Sequence, residues 1–248
     1  MVKRSRCQAL GRLSLTLSLL FFVVVCCIRI QQFIFRCRAE RLLSDVRDLA
    51  VGKSTFADAE NLFKRWTPAR NTGPCTNAQC AIEIALADFA YTHVGWIERY
   101  PTIKPAILRL YRLMGGRPAM VTCHVSVQNG FIAATSYAAY VEVFPGEDKL
   151  FGGYGYTLIG TAGVVQSSEL ADRVSFKHPH YRIRSPSACT ICVAIRVELD
   201  PESDPADVRR LMQYDLSCLT RWILPCTKKG DIMPEAWQQA RFEVLVHD

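Results

Sequence analysis

From Leu13 to Ile28 the chain reads LSLTLSLLFFVVVCCI, without a charge, and Arg12 and Arg29 close the run on either side. About sixteen residues at roughly 1.5 Å each make a helix of about 24 Å, somewhat short of a hydrocarbon core of about 30 Å. Ile30, Phe33, Ile34 and Phe35 lengthen the apolar face, and the flanking arginines are long enough to reach outward to headgroups. The pattern predicts one membrane-spanning helix over residues 13–35. Beyond it Leu42, Val46 and Leu49 recur at spacings of four and three, which predicts a helical stalk or linker over 36–52, stopped by Gly52.

Shorter periods follow. Thr55 and Asp58 form a capping-box pair ahead of Phe56, Ala59, Leu62, Phe63 and Trp66, which share one helical face ended by Pro68. Residues 70–80 have a loop composition. Ile82, Ile84 and Leu86 alternate with Glu83, Ala85 and Ala87, as in a half-buried strand. Residues 104–114 read as a short helix stopped by Gly115-Gly116, although Ile107, Arg109 and Tyr111 also alternate as in a strand. Residues 119–127 and 131–144 are strands joined at Asn129-Gly130, a pair suited to the positive φ angles of a tight hairpin. Further strands are expected over 157–165 and 189–199, with a polar connection at 166–188 between them. In the second, Val193, Ile195 and Val197 share a face opposite Arg196 and Glu198. Asp204 as N-cap and Pro205 at the first helical position open a helix expected to run from Ala206 to Arg221, with Val208, Leu211, Met212, Leu216 and Leu219 on one stripe. A short helix at 234–239 and a closing strand at 242–246 complete the pattern. Strand hairpins flanked by helices predict an α+β fold: a transmembrane helix followed by a single domain, residues 53–248, with an antiparallel sheet flanked by helices.

Charge sharpens this division. Of 30 basic and 23 acidic residues, eight and one lie in the first 41, so the remainder is balanced at 22 of each. The basic excess belongs to the flanks of the apolar run, where it suits anionic headgroups. A neutral domain gives no support to nucleic-acid binding. No A-x-A cleavage site follows the run, and Val24-Val25-Cys26 is a poor lipoprotein box, so a retained signal-anchor is favoured over a cleaved leader.

Basic residues flank the run equally, four on each side, so they do not orient it. The cysteines do. Seven of the 11 lie in the domain, six of them in close pairs: Cys75/Cys80, Cys189/Cys192 and Cys218/Cys226. Such pairs behind an export-type anchor read as local disulfides in an oxidising compartment. This places residues 1–12 in the cytoplasm and the domain outside it, on the periplasmic side in a bacterium. The bilayer, contacted through residues 13–35, is the expected partner, with an envelope protein as a further one.

Candidate chemistry is sparse. Cys189-Thr-Ile-Cys192 has the C-x-x-C spacing, but a redox pair needs a helix N-terminus to lower the thiol pKa, and a strand pattern follows here. A structural disulfide is favoured over metal or redox chemistry. Cys75/Cys80 and Cys189/Cys192 are too far apart in sequence for a zinc ribbon. Cys123 and His124 are strand neighbours and point to opposite faces. His178 and His180 flank Pro179 in a polar loop, and Asp88 and His93 have no serine tied to them. The glycines between Gly152 and Gly163 match neither a P-loop nor a dinucleotide fingerprint; Tyr154 and Tyr156 beside them are candidates to line a ligand groove. No catalytic residue, cofactor or metal site is assigned.

Taken together, the anchor, the Lys53-Ser-Thr-Phe-Ala-Asp58 helix start, the Cys75-Thr-Asn-Ala-Gln-Cys80 loop, and Asp204-Pro-Ala-Asp-Val-Arg-Arg-Leu-Met212 followed by Asp215-Leu-Ser-Cys-Leu-Thr-Arg-Trp222 resemble single-pass bacterial membrane proteins without an assigned activity. The resemblance implies an envelope location and carries over no functional residues. The expected function is a membrane-anchored extracytoplasmic binding or interaction module. The alternative is an envelope enzyme, a hydrolase or one using thiol or metal chemistry, built on Cys123, His124 or the histidines at 178 and 180.

Overall fold

The computed structural model of the chain describes residues 2–66, 69–71, 75–88, 90, 99, 102–143, 156–165, 181–184, 192–221 and 226–245. One helix, α1 (Val2–Arg47), carries the chain through the apolar run and on into the domain without a break. It is long and apolar enough to cross a membrane, and its most apolar window is 0% buried against the rest of the chain.

The second half of α1 has a different environment. Gln32, Phe35, Ala39, Leu42 and Val46 are buried. Their spacings of three and four put them on a single stripe facing the domain. The expected stalk is therefore a core helix, because its apolar stripe is covered by the sheet instead of standing in solvent. At Gly52 (φ 76°) the chain turns, and the Gly52 amide donates to the Ile132 carbonyl at 2.8 Å. α2 (Phe56–Arg65) starts as its sequence requires: the Asp58 carboxylate accepts from the Thr55 amide at 2.7 Å and from its hydroxyl at 2.9 Å.

The strands are β1 (Ala69–Asn71), β2 (Gln79–Ala87), β3 (Ala119–Gln128), β4 (Phe131–Val143), β5 (Tyr156–Val165), β6 (Tyr181–Arg184) and β7 (Cys192–Leu199). Among the described residues they form one sheet in the order β1-β2-β3-β4-β5-β7-β6. The hairpin between β3 and β4 turns at Asn129 (φ 53°) and Gly130 (φ 81°). Alternate residues of the central strands, including Ile82, Ile84, Val121, Cys123, Val125, Tyr137, Ala139, Leu158, Ile195 and Val197, are buried on the face covered by α1 and its neighbours.

Several expectations need correction. The sheet is mixed, not antiparallel, since β7 pairs with β5 in parallel while β6 borders β7 antiparallel. β1 lies partly within the expected 70–80 loop and β6 within the expected 166–188 connection; both are short edge strands with too few residues to show a period. The helix opened by Asp204, α4 (Pro205–Leu211), stops ten residues before Arg221. Tyr214 leaves the helical path because its hydroxyl donates to the Gly160 carbonyl at 3.0 Å. Asp215 then accepts from the Ser217 amide at 2.8 Å, starting a separate 3-10 turn, Ser217–Thr220. The expected stripe nevertheless reaches the core, with Leu211, Met212, Leu216 and Leu219 all buried. The expected closing strand at 242–246 is the end of a helix. After α5 (Lys229–Ile232), α6 (Pro234–Leu245) takes in residues 242–245, with proline at its start and Glu235 in its first turn, and Val246 lies outside the described residues. The remaining helix, α3 (Lys104–Leu113), ends at Gly115 (φ 84°) as its composition indicates.

Candidate functional site

Two features stand apart from the apolar core. The first is a buried polar knot where α1 enters the domain. Gln32 occupies a position on the buried stripe that apolar residues otherwise hold. Its Nε2 donates to Asp88 Oδ2 at 2.9 Å, to Tyr111 Oη at 2.8 Å and to the Arg117 carbonyl at 3.0 Å. Tyr111 in turn donates to Asp88 Oδ2 at 2.9 Å. Gln32 and Asp88 are wholly inaccessible to solvent. Burial first, and the Asp88 carboxylate second, push the Tyr111 phenol pKa far up, so the hydroxyl stays protonated and keeps donating. Three elements are thereby fixed to one residue of α1: the end of β2, the end of α3 and the approach to β3. Nearby, Arg29 donates to the carbonyls of Gly115 (3.3 Å) and Thr220, and Arg36 to Thr220 Oγ1 (3.2 Å). Arg29 is thus turned into the domain and not outward, since two carbonyls at chain turns offer it acceptors.

The second feature is a groove of about 770 Å³ between α1 and the C-terminal helices. Leu43, Met212 and Tyr214 contribute its apolar lining, and Arg47, Arg209 and Glu235 its charge. Two other charges there are paired: Glu40 with Arg36 and Arg210 with Asp207, each at 2.8 Å. Arg47 and Arg209 also border an adjoining hollow of about 350 Å³. Among the described residues the Arg47 Nε is buried without a hydrogen-bond partner, as are Gln32 Oε1 in the polar knot and Tyr137 Oη. Tyr214 sits on the sheet beside Tyr137, ring centroids 5.6 Å apart.

The residues singled out in the sequence fare differently. Cys75–Cys80 and Cys218–Cys226 are disulfides, with Cα atoms 4.2 and 5.0 Å apart. Cys192 is disulfide-bonded, while Cys189 lies outside the described residues. Cys123 is a free thiol, fully buried on the core face of β3, and burial pushes its pKa up, away from nucleophilic use. His124 is exposed on the opposite face, across from Glu83 and Ser136 of the neighbouring strands, so the pair is not brought together. Tyr154, His178 and His180 lie outside the described residues, as does the side chain of Tyr156, whose backbone starts β5. Of the glycines, Gly160 faces α5, where an added Cβ would lie 2.9 Å from Ile232 Cδ1, and Gly163 lies 3.0 Å by the same measure from the Thr135 carbonyl. Close packing, not phosphate binding, explains both. Among the described residues no group of three His, Cys, Asp or Glu side chains is placed to hold a metal ion.

The polar knot and the groove were not singled out in the sequence. One signal for the knot was present: a glutamine on the stripe shared by Ile28, Phe35, Ala39, Leu42 and Val46. The groove has no sequence signal, because its two walls lie about 160 positions apart along the chain. Comparison of the chain with protein-family models, with curated proteins and with solved structures finds no match.

Proposed function

We propose that the chain is a single-pass, membrane-anchored binding module, with residues 1–12 in the cytoplasm, the bilayer crossed by the apolar part of α1, and the domain outside the cytoplasm. Its working surface is the groove between α1 and the C-terminal helices. The observation that carries this reading is the groove's lining: Leu43, Met212 and Tyr214 together with Arg47 and Arg209, with the Arg47 Nε a buried donor that has no partner among the described residues. A partner offering an apolar side chain beside a carboxylate would satisfy both features, and an envelope protein is the partner this location implies. The disulfides and the resemblance to single-pass bacterial membrane proteins support the extracytoplasmic placement.

The test places a photo-crosslinking residue at Gln213, in the groove, and separately at Lys64, on the exposed side of α2, in the full chain in its native membrane. The expected result is a discrete adduct from Gln213 alone, lost when Arg47→Gln and Arg209→Gln are introduced together. Equal adducts from both positions, or adducts indifferent to the arginine changes, would remove the groove from the account.

A further inference from the structure

We infer that the domain does not hang free beneath its anchor but rests on the same bilayer through a second apolar edge, formed by α3 with the exposed side of α1. This rests on the anchoring reading above and extends it to a surface the span does not include.

The axial level of α3 is fixed by contacts. α1 runs along the sheet from Gln32, beside Asp88 and Arg117, to Gly52, beside Ile132. The sheet end holding Asp88 and Arg117 therefore faces the span, and the Asn129-Gly130 hairpin faces away. Tyr111 of α3 meets Gln31 and Gln32, and the Gly115 carbonyl, just past its end, meets Arg29. The last turn of α3 thus points toward the span and reaches the level of Arg29, where the apolar run closes.

At that level the chain exposes apolar side chains. Ile103, Ala106, Leu110 and Leu113 recur at helical spacing on one face of α3, and Ile103, Leu110 and Leu113 are 45%, 52% and 76% exposed. Tyr111 of α3 and Met114, just past its end, are buried in the domain. On α1, Ile30, Phe33 and Ile34 are exposed at the same height. Arg109 is exposed and borders the apolar stripe of α3 on one side. Apolar residues bordered by an arginine, held level with the end of a membrane span, suit the boundary between acyl chains and headgroups. Continuity with the span identifies the occupant as the bilayer that α1 crosses. In water the same stripe would be an uncompensated apolar patch.

The experiment uses the full chain in phosphatidylcholine–phosphatidylglycerol vesicles, with Cys7, Cys26, Cys27 and Cys37 replaced by serine. Single nitroxide labels go at Leu17 in the span, at Leu110 or Leu113 in α3, and at Lys64 on α2. Collision with oxygen, which partitions into lipid, is compared with collision with a water-soluble nickel chelate. The inference expects the labels at 110 and 113 to show an oxygen preference raised several-fold over the label at 64, approaching that at 17. Introducing Leu110→Ser and Leu113→Ser together should leave the thermal midpoint unchanged, since both side chains are exposed, while a label at Ile103 loses its lipid signature. Water-like labels at 110 and 113 with a lipid-like label at 17 would overturn the inference and leave the anchor intact. A water-like label at 17 would overturn both.

Discussion

Gln32 Nε2 and Asp88 Oδ2 lie 2.9 Å apart across 56 positions of sequence, and neither side chain has any accessible surface. This contact joins the helix that carries the apolar run to the sheet, in a place where both groups have surrendered water. Removing a member of such a buried network leaves its partners without hydrogen bonds that water cannot replace. Replacing Gln32 with leucine keeps the volume but removes donors from Asp88, Tyr111 and the Arg117 carbonyl. The expected loss is about 1–3 kcal/mol, measured by denaturant unfolding of the full chain in detergent. Tyr111→Phe should cost a similar amount, and the double variant less than the sum, because both changes break one network. Strict additivity would show that the two groups act independently.

Close packing makes a second expectation. A methyl group on Gly160 would meet Ile232 Cδ1 at 2.9 Å and Met233 Sδ at 3.0 Å. Both atoms are the ends of flexible side chains that can shift, so Gly160→Ala should destabilise the domain only modestly, by about 1 kcal/mol, through overpacking. Adding Met233→Ala, which removes part of the obstruction, should recover some of that loss. An unchanged thermal midpoint for Gly160→Ala would mean that α5 does not press on β5 as described.

The disulfide at Cys218–Cys226 pins the end of the 3-10 turn, and both residues are fully buried. Closing a loop of this size is worth about 2.5 kcal/mol on chain-entropy grounds. Unreduced peptide mapping should find this link, together with Cys75–Cys80. Changing Cys218 and Cys226 to alanine should lower the unfolding free energy by roughly that amount. Free thiols at these four positions in membrane-extracted protein would contradict the structure.

Alkaline pH should weaken the fold. Burial pushes the pKa values of Tyr111, Tyr137, Tyr214 and Cys123 upward. The folded chain therefore keeps protons that the unfolded chain releases, from about pH 8.5 for the thiol and about pH 10 for the phenols. Their contribution is fully present below those values and falls as pH rises beyond them. Chemical denaturation between pH 8 and 11 should show stability declining, first gently and then steeply past about pH 10. Cys123→Ala should flatten the earlier part. Stability that rose over this range would reverse the assigned sign.

The legible parts of the sequence are those governed by local rules. The Thr55–Asp58 start of α2, the Asn129-Gly130 turn, and the alternation along β2, β3 and β7 each depend on residues a few positions apart. The misread parts were decided by partners far away. Residues 242–246 alternate like a strand, yet no breaker separates them from Pro234, so α6 continues to Leu245. The helix after Asp204 has the right stripe but yields at Tyr214, whose hydroxyl is drawn to Gly160 on the sheet. β6 slips in beside β7 with four residues, too few to announce themselves. For the candidate site, the cysteine spacings carried the two described disulfides, and strand alternation separated Cys123 from His124. The groove and the polar knot are tertiary assemblies. Only the polar residue at position 32, on an otherwise apolar stripe, hinted at one of them.

Orientation is the most direct test of the account, since both the disulfides and the extracytoplasmic binding surface depend on it. Lys64 is well exposed on α2 and, among the described residues, makes one i,i+4 ion pair, with Glu60 at 2.9 Å, so Lys64→Cys should fold normally. With Cys7, Cys26, Cys27 and Cys37 replaced by serine, that thiol is treated with a membrane-impermeant maleimide in spheroplasts and in lysed cells. The account predicts full labelling in intact spheroplasts. Labelling that appears only after lysis would put the domain in the cytoplasm and contradict it.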